Sequence, residues 1–190
     1  MLEAFLVSTG VVAIAEIGDK TQLLALVLAA RFRKPVPIIL GILVATLANH
    51  ALAGAVGAWL LGVLGPDTIR WVLGISFLAM AAWALVPDKL DEGDAKPSRY
   101  GAFLTTLVAF FLVEMGDKTQ VATVALAARY DALAVVVAGT TLGMMLANVP
   151  AVLLGEVAAT KLPLRLVRGV AAAIFAALGV AAIAGFRAGF

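Results

Sequence analysis

The 190-residue sequence contains no cysteine and a single histidine, and only 14% of its residues are charged. Without cysteine there are no disulfides and no thiolate metal sites, and the redox compartment is left open. No Ser/His pair suits a rhomboid-like hydrolase site and no HExxH zinc motif is present, which argues against an enzyme. Basic clusters are also scarce: beyond Arg31, Arg33 and Lys34 there is none, and the formal net charge is only +2, so nucleic acid is excluded as a partner. The one strongly hydrophilic stretch runs from Pro87 to Arg99, leaving no room for a soluble domain. Its crowded acids (Asp88, Asp91, Glu92, Asp94) fit no calcium-loop spacing and read as a solvated linker.

What is abundant is apolar sequence: 63% of the residues are hydrophobic and the mean hydropathy is +1.07. That places the chain among all-α integral membrane proteins, with the lipid bilayer as its surroundings. Apolar segments fall at about 2–30, 36–61, 68–86, 100–128, 132–156 and 164–186. The start, Met1-Leu2-Glu3-Ala4-Phe5, has no positive region before its apolar run, and the expectation is a retained span rather than a signal peptide.

Inside this greasy sequence an acidic heptapeptide occurs twice, Glu16-Ile17-Gly18-Asp19-Lys20-Thr21-Gln22 and Glu114-Met115-Gly116-Asp117-Lys118-Thr119-Gln120, identical at six of seven positions. Ionisable side chains this deep in apolar sequence are expensive to desolvate, so their default reading is functional. A shift of 98 residues also superposes Ala29-Ala30-Arg31 on Ala127-Ala128-Arg129 and Gly41 on Gly139. The second span of each half carries a small-residue stripe, Gly41, Ala45, Ala53 and Gly57 in one and Gly139, Gly143, Ala147, Ala151 and Gly155 in the other. Such stripes let helix backbones approach closely in lipid.

An odd number of spans per half makes the second half enter the membrane from the opposite side. The expected fold is therefore six transmembrane helices in two inverted three-helix repeats, residues 1–86 and 100–190, joined by a linker at 87–99. Charge orients them: Arg31, Arg33, Lys34, Lys89, Lys96, Arg99, Lys161, Arg165 and Arg168 lie on one side, against Arg70, Arg129 and Arg187 on the other. The positive-inside rule puts the linker in the cytoplasm and both termini outside it. A straight helix over 2–30 would be about 42 Å long against a core of about 30 Å, so the first span of each half is tilted or broken, with Gly18 and Gly116 the natural break points. Inverted repeats with broken helices and a midplane site form a recurring secondary-transporter plan.

On a continuous helix Glu16 and Asp19 share a face, as do Glu114 and Asp117. If the halves bring the motifs together, four carboxylates meet the hydroxyls of Thr21 and Thr119 and the amides of Gln22 and Gln120. This oxygen-rich set suits manganese, calcium or magnesium and disfavours copper and zinc. Four carboxylates less Lys20 and Lys118 leave a formal −2, which one divalent cation neutralises; without it, carboxylates crowded in a low dielectric take up protons. The site is thus suited to cation/proton exchange. The bland reading pairs Glu16 with Lys20 and Glu114 with Lys118 as i,i+4 ion pairs, and leaves both aspartates unexplained. In a third reading the lysines face water and gate the site. Asn49 and Asn148 either add amide oxygens or simply link helices. His50 reads as a packing residue, Met115, Met144 and Met145 as lipid or core packing, and Glu156 as a solvated end residue.

Two copies of E-x-G-D-K-T-Q, each opening a three-span half, resemble the Gdt family of membrane cation transporters, and the resemblance covers essentially the whole chain. It implies a protein of the short bacterial type in the cytoplasmic (inner) membrane that exports manganese, with calcium as a second candidate, in exchange for protons and without a cofactor. The implied ligands are Glu16, Asp19, Glu114 and Asp117, with Thr21 and Thr119 as polar support. A passive divalent-cation channel could use the same acidic ring. Nothing in the sequence sets an oligomeric state.

Overall fold

The computed structural model describes residues 1–64, 66–87, 100–154 and 164–185, and the side chains of all of these except Pro66 and Leu164. The linker beyond Pro87, Gly155 of the second stripe and Glu156 lie outside the described residues. Among the described residues the structure is entirely helical: α1 (Leu2–Glu16), α2 (Lys20–Phe32), α3 (Pro35–Val63), α4 (Pro66–Ala84), α5 (Ala102–Glu114), α6 (Lys118–Tyr130), α7 (Leu133–Leu154) and α8 (Leu164–Ile183). Among the described residues three helices are long and apolar enough to cross a membrane: Pro35–Val63, Leu133–Leu154, and α8 over Arg165–Ile183. Large apolar side chains such as Trp59, Leu146 and Leu153 point outward, as they do in a protein whose solvent is lipid.

The breaks expected at glycine are present, and both have the same geometry. α1 ends at Glu16, Ile17 is extended, Gly18 takes φ +80°, and Asp19 begins α2 as its N-cap. α5 ends at Glu114, Met115 is extended, Gly116 takes φ +76°, and Asp117 sits at the N-cap of α6. A left-handed backbone between two helices is the conformation for which glycine carries no Cβ penalty. The far ends match as well: Arg33 and Asp131, 98 residues apart, both end their helices in the left-handed region at φ 51° and 45°.

Packing obeys the same 98-residue shift. α1 lies along α7 as α5 lies along α3, and α2 meets α7 as α6 meets α3. The stripes explain the closeness. A Cβ on Gly41 would stand 2.8 Å from the Phe103 carbonyl, and one on Gly139 would stand 2.7 Å from that of Phe5, the counterpart of Phe103. Gly143 and Gly57 similarly abut the backbones of Thr9 and Val124. α4 and α8 pair with each other; there Phe77 stacks on Phe175, its own counterpart, with ring centroids 6.4 Å apart. These contacts bring the two helix breaks face to face.

Candidate metal centre

The two breaks gather the acids. One carboxylate oxygen each of Glu16, Asp19 and Asp117 lies within 4.8 Å of the others, and all three residues are buried. Oxygens no farther apart than this can share one cation at about 2.4 Å each. Glu114, also buried, stands beside them and interacts electrostatically with Glu16, Asp19 and Asp117. The four acids come from different helix ends, Glu16 and Glu114 closing α1 and α5 and the aspartates opening α2 and α6. The premise that each Glu/Asp pair shares one helix face is therefore corrected. The backbone turns between them, and convergence across the break replaces helical register.

The threonines hold the glutamates. Thr21 Oγ1 donates to Glu16 Oε2 and Thr119 Oγ1 to Glu114 Oε1. The second oxygen of each glutamate, Glu16 Oε1 and Glu114 Oε2, is buried without a hydrogen-bond partner among the described residues. A buried anionic oxygen left this way requires a cation or a proton.

The lysines do not pair within their own motifs. Lys118 Nζ lies 2.8 Å from Asp19 Oδ1, and Lys20 Nζ lies 3.2 Å from Asp117 Oδ1. The i,i+4 pairing of Glu16 with Lys20 and of Glu114 with Lys118 is thus replaced by pairing between motifs, because the break ends one helix before the lysine's helix starts. Each aspartate is held by the other half. Lys118 is 5% exposed and Lys20 23%, so the two pairs differ in their access to water. Lys118 also lies 6.0 Å from the ring of Trp83 at the end of α4, and Arg168 of α8 lines a small cleft with Gly18, Asp19 and Lys118. Neither Trp83 nor Arg168 stood out in the sequence as a neighbour of the site, since both lie on helices, α4 and α8, that are far in sequence from either motif.

The glutamines support the breaks. Gln22 Oε1 accepts from Gly18 N (2.9 Å) and Gln120 Oε1 from Gly116 N (2.7 Å), capping amides that the left-handed glycines leave without a helical partner. Gln22 Nε2 further donates to Ala147 O of α7 at 3.0 Å. Asn49 Nδ2 donates to Phe111 O at 3.0 Å, and its own Oδ1 is buried without a partner. Asn148 turns back on its helix, donating to Met144 O and Sδ. His50 is fully buried, with neither ring nitrogen hydrogen-bonded among the described residues. Met144 is buried and Met115 is 57% exposed.

The sequence pattern of the family described as divalent cation/proton antiporter GDT1 matches residues 4–92 and 102–188. The chain belongs to the GDT1 family. That family is a class of membrane transporters rather than of enzymes, and GDT1 relatives extend along nearly the whole chain. A Vibrio cholerae protein with the name "Putative manganese exporter" is 54% identical over 182 residues, 95% of this chain and 90% of its own length. "GDT1-like protein 3" of Oryza sativa subsp. japonica is 27% identical over 206 residues, covering 95% of this chain and 73% of its own. "GDT1-like protein 3" of Arabidopsis thaliana is 27% identical over 207 residues, covering 95% and 70%. No solved structure matches the chain. Within the GDT1 pattern both motif copies, and hence every acid gathered above, fall inside the matched segments.

Proposed function

We propose that this GDT1 member is a secondary active transporter that exports manganese from the cytoplasm in exchange for protons, with calcium accepted by the same oxygen ligands. The observation that carries the reading is the convergence of four buried carboxylates from two broken helices, with one oxygen of each glutamate left without a partner. Glu16, Asp19, Glu114 and Asp117 hold the cation, and Thr21 and Thr119 orient the glutamates. Lys20 and Lys118 balance the aspartates while the site is empty. Four carboxylates and two ammonium groups leave a formal −2, so one divalent cation or about two protons neutralise the site. Exchange follows, since the two cargoes compete for the same oxygens.

The membrane arrangement is part of the proposal. α1–α2 and α5–α6 each form one broken span, and residues 1–86 and 100–190 form two inverted repeats around a midplane site. The linker at 87–99 is cytoplasmic, both termini lie outside the cytoplasm, and the membrane is the bacterial inner membrane. The recurrence of contacts under the 98-residue shift supports it, as does the Phe77–Phe175 stack of counterparts. Broken helices meeting at mid-span favour alternating access over a passive channel.

The test is manganese and calcium flux in proteoliposomes with and without an imposed proton gradient. Uphill metal movement driven by protons is expected, and it is lost in Glu16→Gln and Glu114→Gln. Flux that only runs downhill would make the protein a channel, and unchanged transport in both variants would remove the acids from the site.

A further inference from the structure

The two halves match in backbone but not in closure. On one side of the acids, Gln22 Nε2 is bonded to Ala147 O, tying α2 to α7, and Gln22 is 7% exposed. The same shift of 98 residues takes Gln22 to Gln120 and Ala147 back to Asn49. The equivalent bond would run from Gln120 Nε2 to Asn49 O, tying α6 to α3. It is not made: among the described residues the side chain of Gln120 is bonded only through Oε1, to Gly116 N. In its place is a cavity of about 290 Å³ whose wall includes Asn49, Leu52, Val56, Phe111, Gln120 and Val124. Met115, 57% exposed, lines this cavity as well.

We propose that Gln22 and Gln120 are alternating latches: Gln22–Ala147 O closes the path from the acids to the cytoplasm, and Gln120–Asn49 O, open in this structure, closes the cavity when the transporter faces the other way. The inference rests on the inverted-repeat reading, which directs α2 toward the cytoplasm and α6 away from it. Each glutamine has a donor and an acceptor end with separate tasks. The acceptor stays on the glycine amide and keeps the break intact, while the donor is free to engage or release the facing helix. Two packings of equivalent halves then differ by the exchange of one hydrogen bond for its counterpart, which keeps them close in free energy. Gln22 and Gln120 act here as positioning residues.

The absence of cysteine makes the test clean. Val124→Cys lies on the cavity wall, and Leu26→Cys occupies the position related to it by the shift. Each is introduced into the full chain and labelled with a membrane-impermeant maleimide, in intact cells and in inside-out vesicles. Val124→Cys is expected to label from the non-cytoplasmic side and Leu26→Cys to be protected. Adding Gln22→Leu should raise Leu26→Cys labelling and lower that of Val124→Cys, and Gln120→Leu should do the reverse. One lost hydrogen bond corresponds to about a fivefold change in the ratio of the two states. Gln22→Glu and Gln120→Glu, labelled at pH 8, retain an acceptor for the glycine amide and lose the donor, and should shift labelling in the same directions. Labelling that does not move, that moves the same way in both variants, or that responds only to leucine overturns the latches. Manganese binding is measured separately as a metal-dependent rise in melting temperature. If it is absent while reciprocal labelling holds, the cargo reading fails and the latches stand.

Discussion

Removing the Lys118 ammonium is the sharpest probe of how the halves are joined. The side chains of Lys118 and Asp19 are 5% and 1% exposed and meet at 2.8 Å, so Lys118→Met leaves Asp19 beside three other buried acids with its nearest cation gone. Breaking a buried pair from one side costs about 3–5 kcal/mol. In a chain of this size that corresponds to a fall in melting temperature of about 6–20 °C. Lys20 is 23% exposed and 3.2 Å from Asp117, so water relieves part of the loss and Lys20→Met should cost about 1–3 kcal/mol. The assay is thermal unfolding in detergent, followed by tryptophan fluorescence, arranged as two double-mutant cycles. Lys118→Met with Asp19→Asn should give a coupling energy of about 2–3 kcal/mol, because both charges vanish together. Lys118→Met with Glu114→Gln should couple by less than about 1 kcal/mol, since that pairing is not formed. A larger coupling to Glu114 than to Asp19 would refute pairing between the motifs and restore the ion pair within one motif.

Three further outcomes follow from the same geometry. Gly116→Ala meets no neighbour within 4 Å but forces alanine to φ +76°, so it should cost about 1–2 kcal/mol of stability in a melt, and Gly116→Asn should cost less. Gly57→Ala drives a Cβ to 2.2 Å from the Val124 carbonyl and should destabilise the α3–α6 contact by about 1–3 kcal/mol, while Gly10→Ala, with open space around it, should leave the melting temperature within error. Thr119→Val removes the hydroxyl that orients Glu114 and should weaken manganese binding about 10-fold by titration calorimetry, an effect Thr119→Ser should largely avoid.

Much of this was legible from the residues because the decisive signals are local. A glycine at the middle of an over-long apolar run spells a helix break; the structure adds that Asp19 is the new N-cap, accepting from the Thr21 amide. The stripes marked where α3 and α7 let other backbones approach closely. The same break then defeated reasoning by helical register: spacing of three or four residues implies proximity only along a continuous helix, so the partners of Lys20 and Lys118 could not be read from i,i+4 counting. Gln22 and Gln120 look like ligands by type, but their carbonyl oxygens are drawn to the glycine amides that the break leaves bare. Trp83 and Arg168 reach the site through the pairing of α4 with α8, a contact no short-range pattern encodes.

Pairing between the motifs also binds their histories. Drift at Asp19 is felt first at Lys118, 99 residues away in the chain, and only afterwards at the adjacent Lys20. The two copies therefore cannot diverge one at a time: a charge lost from either is compensated in the other or stays buried and unpaired. Near-identity of the heptapeptides, at six of seven positions, is what such mutual constraint leaves behind.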